Sequence, residues 1–363
     1  MKLPDPKKRT TMKDVAQAAG VSTQTVSRVI NNVSYVSAKT RHRVEAVIEE
    51  LGYRPSTLAR SLSQQRSYTL GVVVFGLVHI GPALTLNGIA DAAEKQDYML
   101  LMKELDDHYD NSTVKSVIDS LISHQVDGII WAAPEIGNSH SWMKDYLDSV
   151  PVPIIFLAMK PREDVPSVTT DNYQGAVLAV HHLLDTERKK IAHLSGPLNW
   201  WEAAERKQGW IDTLLNAGLD VSEEYWTEGD WSAKSGELAF IQLLEKYPEM
   251  DAIFVANDQM ALSVLQQAHL RGVSIPDELS VIGFDNIDEA EYFFPALTTI
   301  GQDFQLLGET AVRNLVEMID AQQKNISVQS KIEFIEPKLI IRKSTKKYRQ
   351  FQNITDLEVE NNK

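Results

Sequence analysis

Hydrogen-bonding side chains that suit the edges of DNA bases cluster on one face of a short helix predicted near the N-terminus. Within TMKDVAQAAGVSTQTVSRVINN, residues 11–32, Val26, Val29 and Ile30 recur at helical spacing and predict an inward face. The hydroxyls, amide and guanidinium on the opposite face could donate to and accept from bases in a major groove. The outward residues are Thr23, Gln24, Thr25, Ser27 and Arg28.

Two helices and a tight turn must position that face. Thr11 can cap the first helix, Gly20 permits the turn, and Ser22 can cap the second helix. The pattern predicts a helix-turn-helix, although a surface helix pair in a helical bundle would show the same periodicity.

The charge distribution favours contact between the N-terminal segment and nucleic acid. Residues 1–66 contain 12 Lys and Arg and 5 Asp and Glu, whereas the remainder contains 24 and 45, which gives net charges of +7 and −21. A basic segment joined to an acidic body fits a protein whose N-terminal part contacts nucleic-acid phosphates while the rest of the chain is repelled by them.

A third predicted helix, AKTRHRVEAVIEEL, follows Ser37 and should bury Val44, Val47, Ile48 and Leu51. Cations crowd its first two turns, where they oppose the helix dipole, so phosphate contact explains them better than helix stability does. A merely solvated face is the alternative. These cations are Lys39, Arg41, His42 and Arg43.

The segment STLARSL, residues 56–62, predicts a helix of one or two turns that precedes a linker at residues 64–67. Such a short helix is marginal in water on its own, so we expect that a partner is needed to order it.

From Tyr68 onward, buried strands alternate with amphipathic helices, which predicts doubly wound parallel sheets. The pattern occurs as two successive runs of similar length, so we expect two similar α/β lobes with a cleft between them. The strands with unbroken apolar runs are LGVVVFG (70–76), GIIWAA (128–133), PIIFLA (153–158), AIFVAN (252–257) and SVIGFD (280–285).

Several classes of protein are disfavoured by composition and motifs. No apolar run approaches the ~20 residues of a membrane span, and the start lacks the apolar region of a secretory signal, so a cytoplasmic location is expected. There are no cysteines and no GxSxG, HExxH, P-loop or GxGxxG motif. The adjacent His181 and His182 point ~100° apart on a helix, which suits a shared metal poorly. We expect no catalytic residue, metal or cofactor.

The chain resembles the LacI/GalR family of transcription regulators over residues 11–343. The head segments DVAQAAGVSTQTVSRVINN and VSAKTRHRVEAVIEELGYRP carry the family resemblance. The core segments LSGPL, GDWSAKSG, VANDQMAL, SVIGFDN and PALTTIGQDFQLLG resemble its lactose-repressor branch. The resemblance implies an all-α helix-turn-helix head, a hinge helix and a core like that of periplasmic sugar-binding proteins.

The implied domain boundaries follow the sequence runs. We expect the head at residues 1–54, the hinge helix and linker at 55–67, and a polar tail at 344–363. The N-terminal lobe should comprise 68–170 with 302–329, and the C-terminal lobe 171–301 with 330–343.

The resemblance assigns DNA contacts to the head and hinge. Thr23, Gln24 and Arg28 fall where the family reads bases, and Leu62 falls where paired hinge helices wedge a leucine into the minor groove. Thr23 stands where the lactose-repressor branch has a bulky tyrosine, so the operator half-site is expected to differ there. The remaining implied DNA-contacting residues are Ser22, Ser27, Tyr35, Ser37, Thr40 and Ala59.

The resemblance also assigns six contacts to a small-molecule effector in the cleft. A guanidinium, an amide and a carboxylate at strand ends, with an aromatic ring, suit the hydroxyls and the C–H face of a sugar. Each residue alone could equally be a helix cap, a strand end or a core aromatic residue. The six are Arg206, Trp231, Asn257, Asp285, Gln302 and Phe304.

Departures from the branch pattern limit the identity of the sugar. Ala158 replaces an aspartate that binds a sugar hydroxyl, Thr170 replaces a phenylalanine, and the pair Trp200–Trp201 could supply replacement stacking or pack on the lobe. A galactoside is our best guess among mono- and disaccharides. Residues 344–363 make an unconvincing heptad helix, so a homodimer is expected rather than a tetramer.

The sequence therefore predicts a repressor of a sugar-utilisation operon that binds a pseudo-palindromic operator as a homodimer and is released by a small sugar. Three alternatives remain open at this point: a co-repressed regulator of another carbohydrate pathway, a sugar receptor without a DNA role, and a sugar-processing enzyme.

Overall fold

The computed structural model describes residues 10–30, 35–53, 66–106, 111–136, 142–327 and 329–346 of the 363-residue chain. The chain divides into two compact units, residues 1–68 and 69–363. The described part of the first unit contains three helices, α1 (Met12–Ala19), α2 (Thr23–Ile30) and α3 (Ala38–Glu50).

The three helices of the first unit begin at the predicted hydroxyl caps. The Thr11 and Asp14 side chains form a reciprocal capping box, and Gly20 ends α1 with a φ of 63° in the left-handed region. The Ser22 hydroxyl accepts a hydrogen bond from the Thr25 amide at 3.1 Å, and Ser37 caps α3 in the same way. These caps support the helix-turn-helix prediction.

A small apolar core joins the three helices. Val15, Val26 and Val44 are fully buried at its centre. The expectation that Leu51 is buried was wrong, because Leu51 lies at the C-cap of α3 and is 36% exposed. Tyr53, two residues further along, packs into this core instead.

The second unit is an α/β core in which strands and helices alternate. In chain order its elements are β1 (Thr69–Phe75), α4 (Ile80–Lys95), β2 (Met99–Leu105), α5 (Asn111–Ser123), β3 (Gly128–Ala132), α6 (Met143–Tyr146), β4 (Ile154–Leu157), β5 (Ser167–Thr170), α7 (Asn172–Asp185), β6 (Ile191–Ser195), α8 (Trp201–Asn216), β7 (Trp226–Glu228), α9 (Ala233–Lys246), β8 (Ala252–Val255), α10 (Asp258–Leu270), β9 (Ser280–Asp285), β10 (Thr298–Gly301), α11 (Phe304–Gln323), β11 (Ile332–Ile335) and β12 (Lys338–Ile340).

Two six-stranded sheets form two lobes within the described residues. The N-terminal lobe has the strand order β11-β5-β4-β3-β1-β2, in which all the pairs are parallel. The C-terminal lobe has the order β12-β10-β9-β8-β6-β7, with only β12 antiparallel to its neighbour. Helices cover both faces of each sheet, so the central strands are wholly buried and read as continuous apolar runs.

The chain passes between the lobes after β5, after β10 and after β11. The last crossing corrects a predicted boundary, because residues 330–335 do not belong to the C-terminal lobe. β11 pairs in parallel with β5, with Ile332 opposite Ser167, and only β12 returns to the second sheet. The other predicted boundaries of the two lobes stay predictions.

The predicted polar tail also begins too early. Ser344 and Thr345 are buried in the C-terminal lobe. The Ser344 hydroxyl donates to the Val281 carbonyl at 2.6 Å and accepts from the Thr298 amide at 2.8 Å, so it joins β9 and β10. None of the described helices is both long enough and apolar enough to span a membrane.

Candidate functional site

The predicted base-reading residues lie on the open face of α2. Thr23, Gln24 and Arg28 are exposed, whereas Ser27 is half-buried. Thr25 was expected to face outward, but it is half-buried and its hydroxyl exchanges a hydrogen bond with Ser22 at 3.0 Å. The exposed face of α2 therefore offers an amide, a hydroxyl and a guanidinium, and their role as base contacts stays a prediction.

The predicted phosphate-contacting residues surround the start of α3. Tyr35 is 88% exposed. The Ser37 hydroxyl accepts from the Thr40 amide at 3.3 Å and exchanges a second hydrogen bond with the Thr40 hydroxyl at 2.9 Å. Arg41 is not a free cation, because its Nη1 donates to the Val29 carbonyl at 3.3 Å and so satisfies the end of α2. The predicted contacts Ala59 and Leu62 lie outside the described residues.

All six predicted effector residues line one cavity in the α/β core. The cavity encloses about 770 Å³, counting the space that is open to solvent, and both lobes contribute to its wall. The carboxyl ends of parallel strands meet at one edge of a sheet, which brings side chains far apart in sequence together. Their role as effector contacts stays a prediction. The lining set includes Arg206, Trp231, Asn257, Asp285, Gln302 and Phe304.

Arg206, on α8, is buried in the wall contributed by the C-terminal lobe. Its Nε donates to Asn172 Oδ1 at 2.8 Å, and its Nη1 donates to the Ala256 carbonyl and lies 3.6 Å from Asp285 Oδ1. The guanidinium carbon stands 3.7 Å from the centroid of the Phe284 ring. The guanidinium is therefore held rigidly on three sides, which orients its remaining nitrogen.

Asp285 is the last residue of the buried strand β9 and has a φ of 111°, in the left-handed region that favours glycine. Gln302 Nε2 donates to its Oδ1 at 2.7 Å. Burial raises the pKa of Asp285 to about 6, against the opposing effects of the Arg206 charge and the Gln302 hydrogen bond. Strained backbone at a cavity wall is typical of a ligand site.

A second buried carboxyl, Asp258, supports the loop that follows Asp285. It accepts hydrogen bonds from the Thr299 hydroxyl at 2.6 Å and the Ile287 amide at 3.0 Å. A Cβ at Gly283 would lie 2.2 Å from its Oδ1, so this close approach requires glycine. Burial, with the Asp285 charge, raises the pKa of Asp258 to about 8.

Asn257 is both a lining residue and a helix cap. Its Oδ1 accepts from the Met260 amide and its Nδ2 donates to the Trp231 carbonyl, both at 2.9 Å. The residue therefore fixes the start of α10 and the segment that carries Trp231, whose φ is 74°. The Trp231 ring packs so closely against Gly196 that a Cβ there would lie 2.2 Å from a ring carbon.

Several lining residues were not predicted as effector contacts. Ala158, Thr170 and Trp200 all line the cavity, so the departures noted in the sequence fall at the site. Glu202 lies one turn before Arg206, and this i, i+4 spacing was a signal that could have found it. Further lining residues are His79, Ile80, Pro82, Thr85, Pro134, Leu157, Thr169, Gln259 and Leu307.

Comparison with protein families finds one match within each of the two units. Residues 11–56 match the family described as bacterial regulatory proteins, lacI family, and residues 180–345 match the periplasmic binding protein-like domain.

Relatives with established names match nearly the whole chain. The catabolite control protein A of Priestia megaterium is 35% identical over 93% of this chain and 99% of its own length. The lactose operon repressor of Escherichia coli strain K12 is 34% identical over 87% of this chain and 86% of its own length.

The fold matches a solved relative as well. A crystal structure of the lac repressor dimer bound to operator and the anti-inducer ONPF superposes with a TM-score of 0.81 at 32% identity. The match covers 93% of this chain and 99% of that chain. The predicted resemblance and fold class are thereby confirmed. The chain belongs to the LacI family of bacterial regulatory proteins, and is a DNA-binding transcriptional repressor regulated by a small-molecule effector.

Proposed function

We propose that the protein represses a sugar-utilisation operon in the bacterial cytoplasm. It binds a pseudo-palindromic operator as a homodimer, and a small sugar in the cavity between the lobes releases it. The observation that carries this proposal is that the six residues predicted as sugar contacts, which span residues 206–304, line one cavity of the core.

The composition of the cavity wall supports a sugar. Arg206, Asp285 and Gln302 offer donors and acceptors at fixed positions, while the rings of Trp200 and Trp231 meet edge to face at 5.9 Å. Polar groups that satisfy hydroxyls next to aromatic rings that cover C–H surfaces are what a sugar requires.

The exposed edge of the N-terminal lobe supports a homodimer. β2 is the last strand of its sheet, and its Met99 and Met102 are 66% and 46% exposed. An exposed edge strand with large apolar side chains is an aggregation hazard unless it is covered. A second copy of the chain is the partner that we propose to cover it.

Repression and release follow from the two-lobed core. The lobes are joined by three chain crossings, which permit one lobe to rotate against the other. A sugar that contacts both walls favours one angle between the two lobes. In a homodimer, that angle sets the spacing of the two heads and so decides whether both can bind one operator. The sugar and the operator must change each other's affinity by the same factor.

A galactoside remains our first choice of sugar, because the lactose operon repressor is among the relatives. Ala158 leaves the wall without the acceptor that an aspartate would supply there. The cavity wall therefore supports sugars as a class and does not single out a galactoside. Lactose and cellobiose differ in configuration at C4 of the outer ring, and comparing them tests this choice directly.

The function is tested by gel shift with a two-fold symmetric operator, over a salt series and with each sugar added. We expect affinity to fall about a hundredfold or more between 50 and 200 mM salt, and to fall again when the right sugar is present. Affinity that is independent of salt would contradict the DNA role. Tighter binding with sugar would indicate a co-repressor, and turnover of the sugar would indicate an enzyme.

A further inference from the structure

Several hydrogen-bond acceptors in the cavity wall have no partner among the described residues. Asp285 uses Oδ1 for Gln302, which leaves Oδ2 open, and Gln302 keeps its carbonyl oxygen open. Asn257 has already used both side-chain atoms on the protein. Arg206 has committed Nε and Nη1, which leaves Nη2 as the open guanidinium nitrogen.

Glu202 adds two further acceptor oxygens to this set. It lines the cavity from the first turn of α8 and is half-buried. Its carboxylate has no hydrogen-bond partner in the described part of the chain, in contrast to Asp258 and Asp285. Burial raises the pKa of Glu202 to about 7, although the nearby Arg206 charge opposes this effect.

The opposite wall provides no permanently charged side chain to balance a bound anion. The lining residues that the structure describes between positions 79 and 170 include no Asp, Glu, Lys or Arg. His79 is the titratable side chain on that wall. The guanidinium of Arg206 is already shared with Asp285, Asn172 and the Ala256 carbonyl, so it is poorly placed to neutralise a phosphate.

A ligand that suits these open acceptors brings hydroxyl donors, and a negative charge beside them is unfavourable. We propose that Glu202 is a specificity-determining residue, whose carboxylate accepts hydrogen bonds from hydroxyls of an uncharged sugar and excludes phosphorylated sugars. This inference rests on the proposed sugar response and names the chemical class of the sugar. When Glu202 and Asp285 are ionised, their carboxylates would repel a bound phosphate, whereas they accept strong hydrogen bonds from neutral hydroxyls.

The test compares full-length wild type with Glu202→Gln by isothermal titration. The probes are lactose, cellobiose, galactose and glucose, then galactose 6-phosphate, glucose 6-phosphate and inorganic phosphate. Glu205→Gln is the matched control, because Glu205 lies on the same helix, is half-buried and does not line the cavity. Operator affinity, measured in parallel, shows that each variant is folded.

We expect wild type to bind at least one neutral sugar about tenfold or more tightly than its 6-phosphate, which corresponds to about 1.4 kcal/mol. Glu202→Gln should reduce that preference severalfold, because the variant should bind the 6-phosphate more tightly. Glu205→Gln should preserve the preference. If Glu202→Gln discriminates as strongly as wild type, or if wild type prefers the phosphorylated sugar, the proposed role of Glu202 is overturned. The proposed sugar response would still stand in either case. Binding of none of the sugars overturns the proposed sugar response, and this inference with it.

Discussion

Arg206 stabilises the core and, in the proposed function, holds the sugar. Its buried guanidinium lies 3.6 Å from Asp285, so removing it leaves a buried carboxylate without its counter-charge. We expect Arg206→Ala to lower the free energy of unfolding by roughly 3–5 kcal/mol and to abolish release by sugar while operator binding persists. Denaturant unfolding and gel shifts measure the two effects. Lys234→Ala, at an exposed cation, is the control, and normal release of Arg206→Ala would contradict the site.

Arg28 is the residue of the head whose base contact can be tested most directly, because its exposed guanidinium can bind guanine through two hydrogen bonds. We expect Arg28→Ala to weaken operator binding by about 1–3 kcal/mol and to weaken binding to scrambled DNA less. Gel shifts with both duplexes measure the difference. Gln17→Ala, at an exposed amide on α1, should leave both affinities unchanged. An equal loss on both duplexes would show a phosphate contact instead.

His193 makes stability depend on pH. Its Nδ1 hydrogen-bonds the Phe254 carbonyl at 2.9 Å, its ring stacks on Trp210 and Phe254, and burial lowers its pKa from 6.5 to about 3. The folded state therefore excludes a proton that the unfolded state takes up below pH 6.5. The stabilisation is complete above that pH and is lost as pH falls towards the folded pKa.

Denaturant unfolding at pH 7 and pH 5 should reveal this contribution. We expect wild type to lose about 2 kcal/mol more than His193→Leu between these pH values. The buried carboxyls contribute equally to both proteins, so the difference isolates His193. His181→Leu, at an exposed histidine on α7, should retain the wild-type dependence of the free energy of unfolding on pH. If the free energy of unfolding of His193→Leu depends on pH as strongly as that of wild type, His193 is not the source of the effect.

At the scale of elements, local patterns predicted most of the fold. Hydroxyl caps at Thr11, Ser22 and Ser37 located the starts of three helices, because a cap is satisfied within one turn. Unbroken apolar runs located the central strands, because helices bury both faces. The three-residue strand β7 was missed, since a strand so short has no detectable period.

The pairing of β11 could not be predicted, because it depends on a partner more than 150 residues away. Its sequence fits either sheet, and tertiary packing chose the N-terminal lobe. The six effector residues were placed by resemblance, whereas the roles of Glu202 and Trp200 depend on which side chains remain unpartnered and which rings meet after folding. Spacing can place Glu202 near Arg206 and can suggest Trp200 for stacking, but one sequence does not show which groups stay unpartnered after folding.

The start of α8 makes a contact between the lobes. The Trp201 amide donates to the Glu135 carbonyl at 3.1 Å, and Ile136 pairs with Trp200 in an antiparallel bridge. Glu135 is fixed in turn by Arg162, whose Nη2 and Nη1 donate to its two carboxylate oxygens at 2.6 and 3.1 Å. A rigid segment of one lobe is therefore attached to the other beside the cavity.

The Trp200 ring extends this contact. It meets Phe75 and His79 of the N-terminal lobe with centroids at 5.8 and 6.1 Å, and Trp231 of the C-terminal lobe at 5.9 Å. We expect Trp200→Ala to hold the lobes together less firmly, to speed sugar dissociation about tenfold, and to reduce the tryptophan fluorescence change on binding, with Trp231 left to report it. Stopped-flow fluorescence measures both. Trp201→Ala, whose ring does not line the cavity, is the control, and unchanged dissociation from Trp200→Ala would contradict this role.

At the scale of the whole molecule, the two units have opposite charge. Residues 1–66 carry a net +7 and the rest −21, so the α/β core contributes repulsion rather than attraction towards DNA. Attraction through the head alone is sequence-independent and weak for one copy. Two heads held at a fixed spacing multiply their affinities, which makes operator binding depend on the homodimer.

The exposed methionines of β2 form an apolar edge on the N-terminal lobe. Met102→Glu places a charge on the apolar edge that we propose a second copy covers. Desolvating that charge should weaken dimerisation at least a hundredfold, or about 3 kcal/mol, and operator affinity should fall with it because one head reads only half a site. Sedimentation and gel shifts at matched concentrations measure both. Leu270→Glu, at a 68% exposed leucine that ends α10, introduces the same charge elsewhere and should change neither quantity. A dimeric Met102→Glu with wild-type operator affinity would place the interface on another surface.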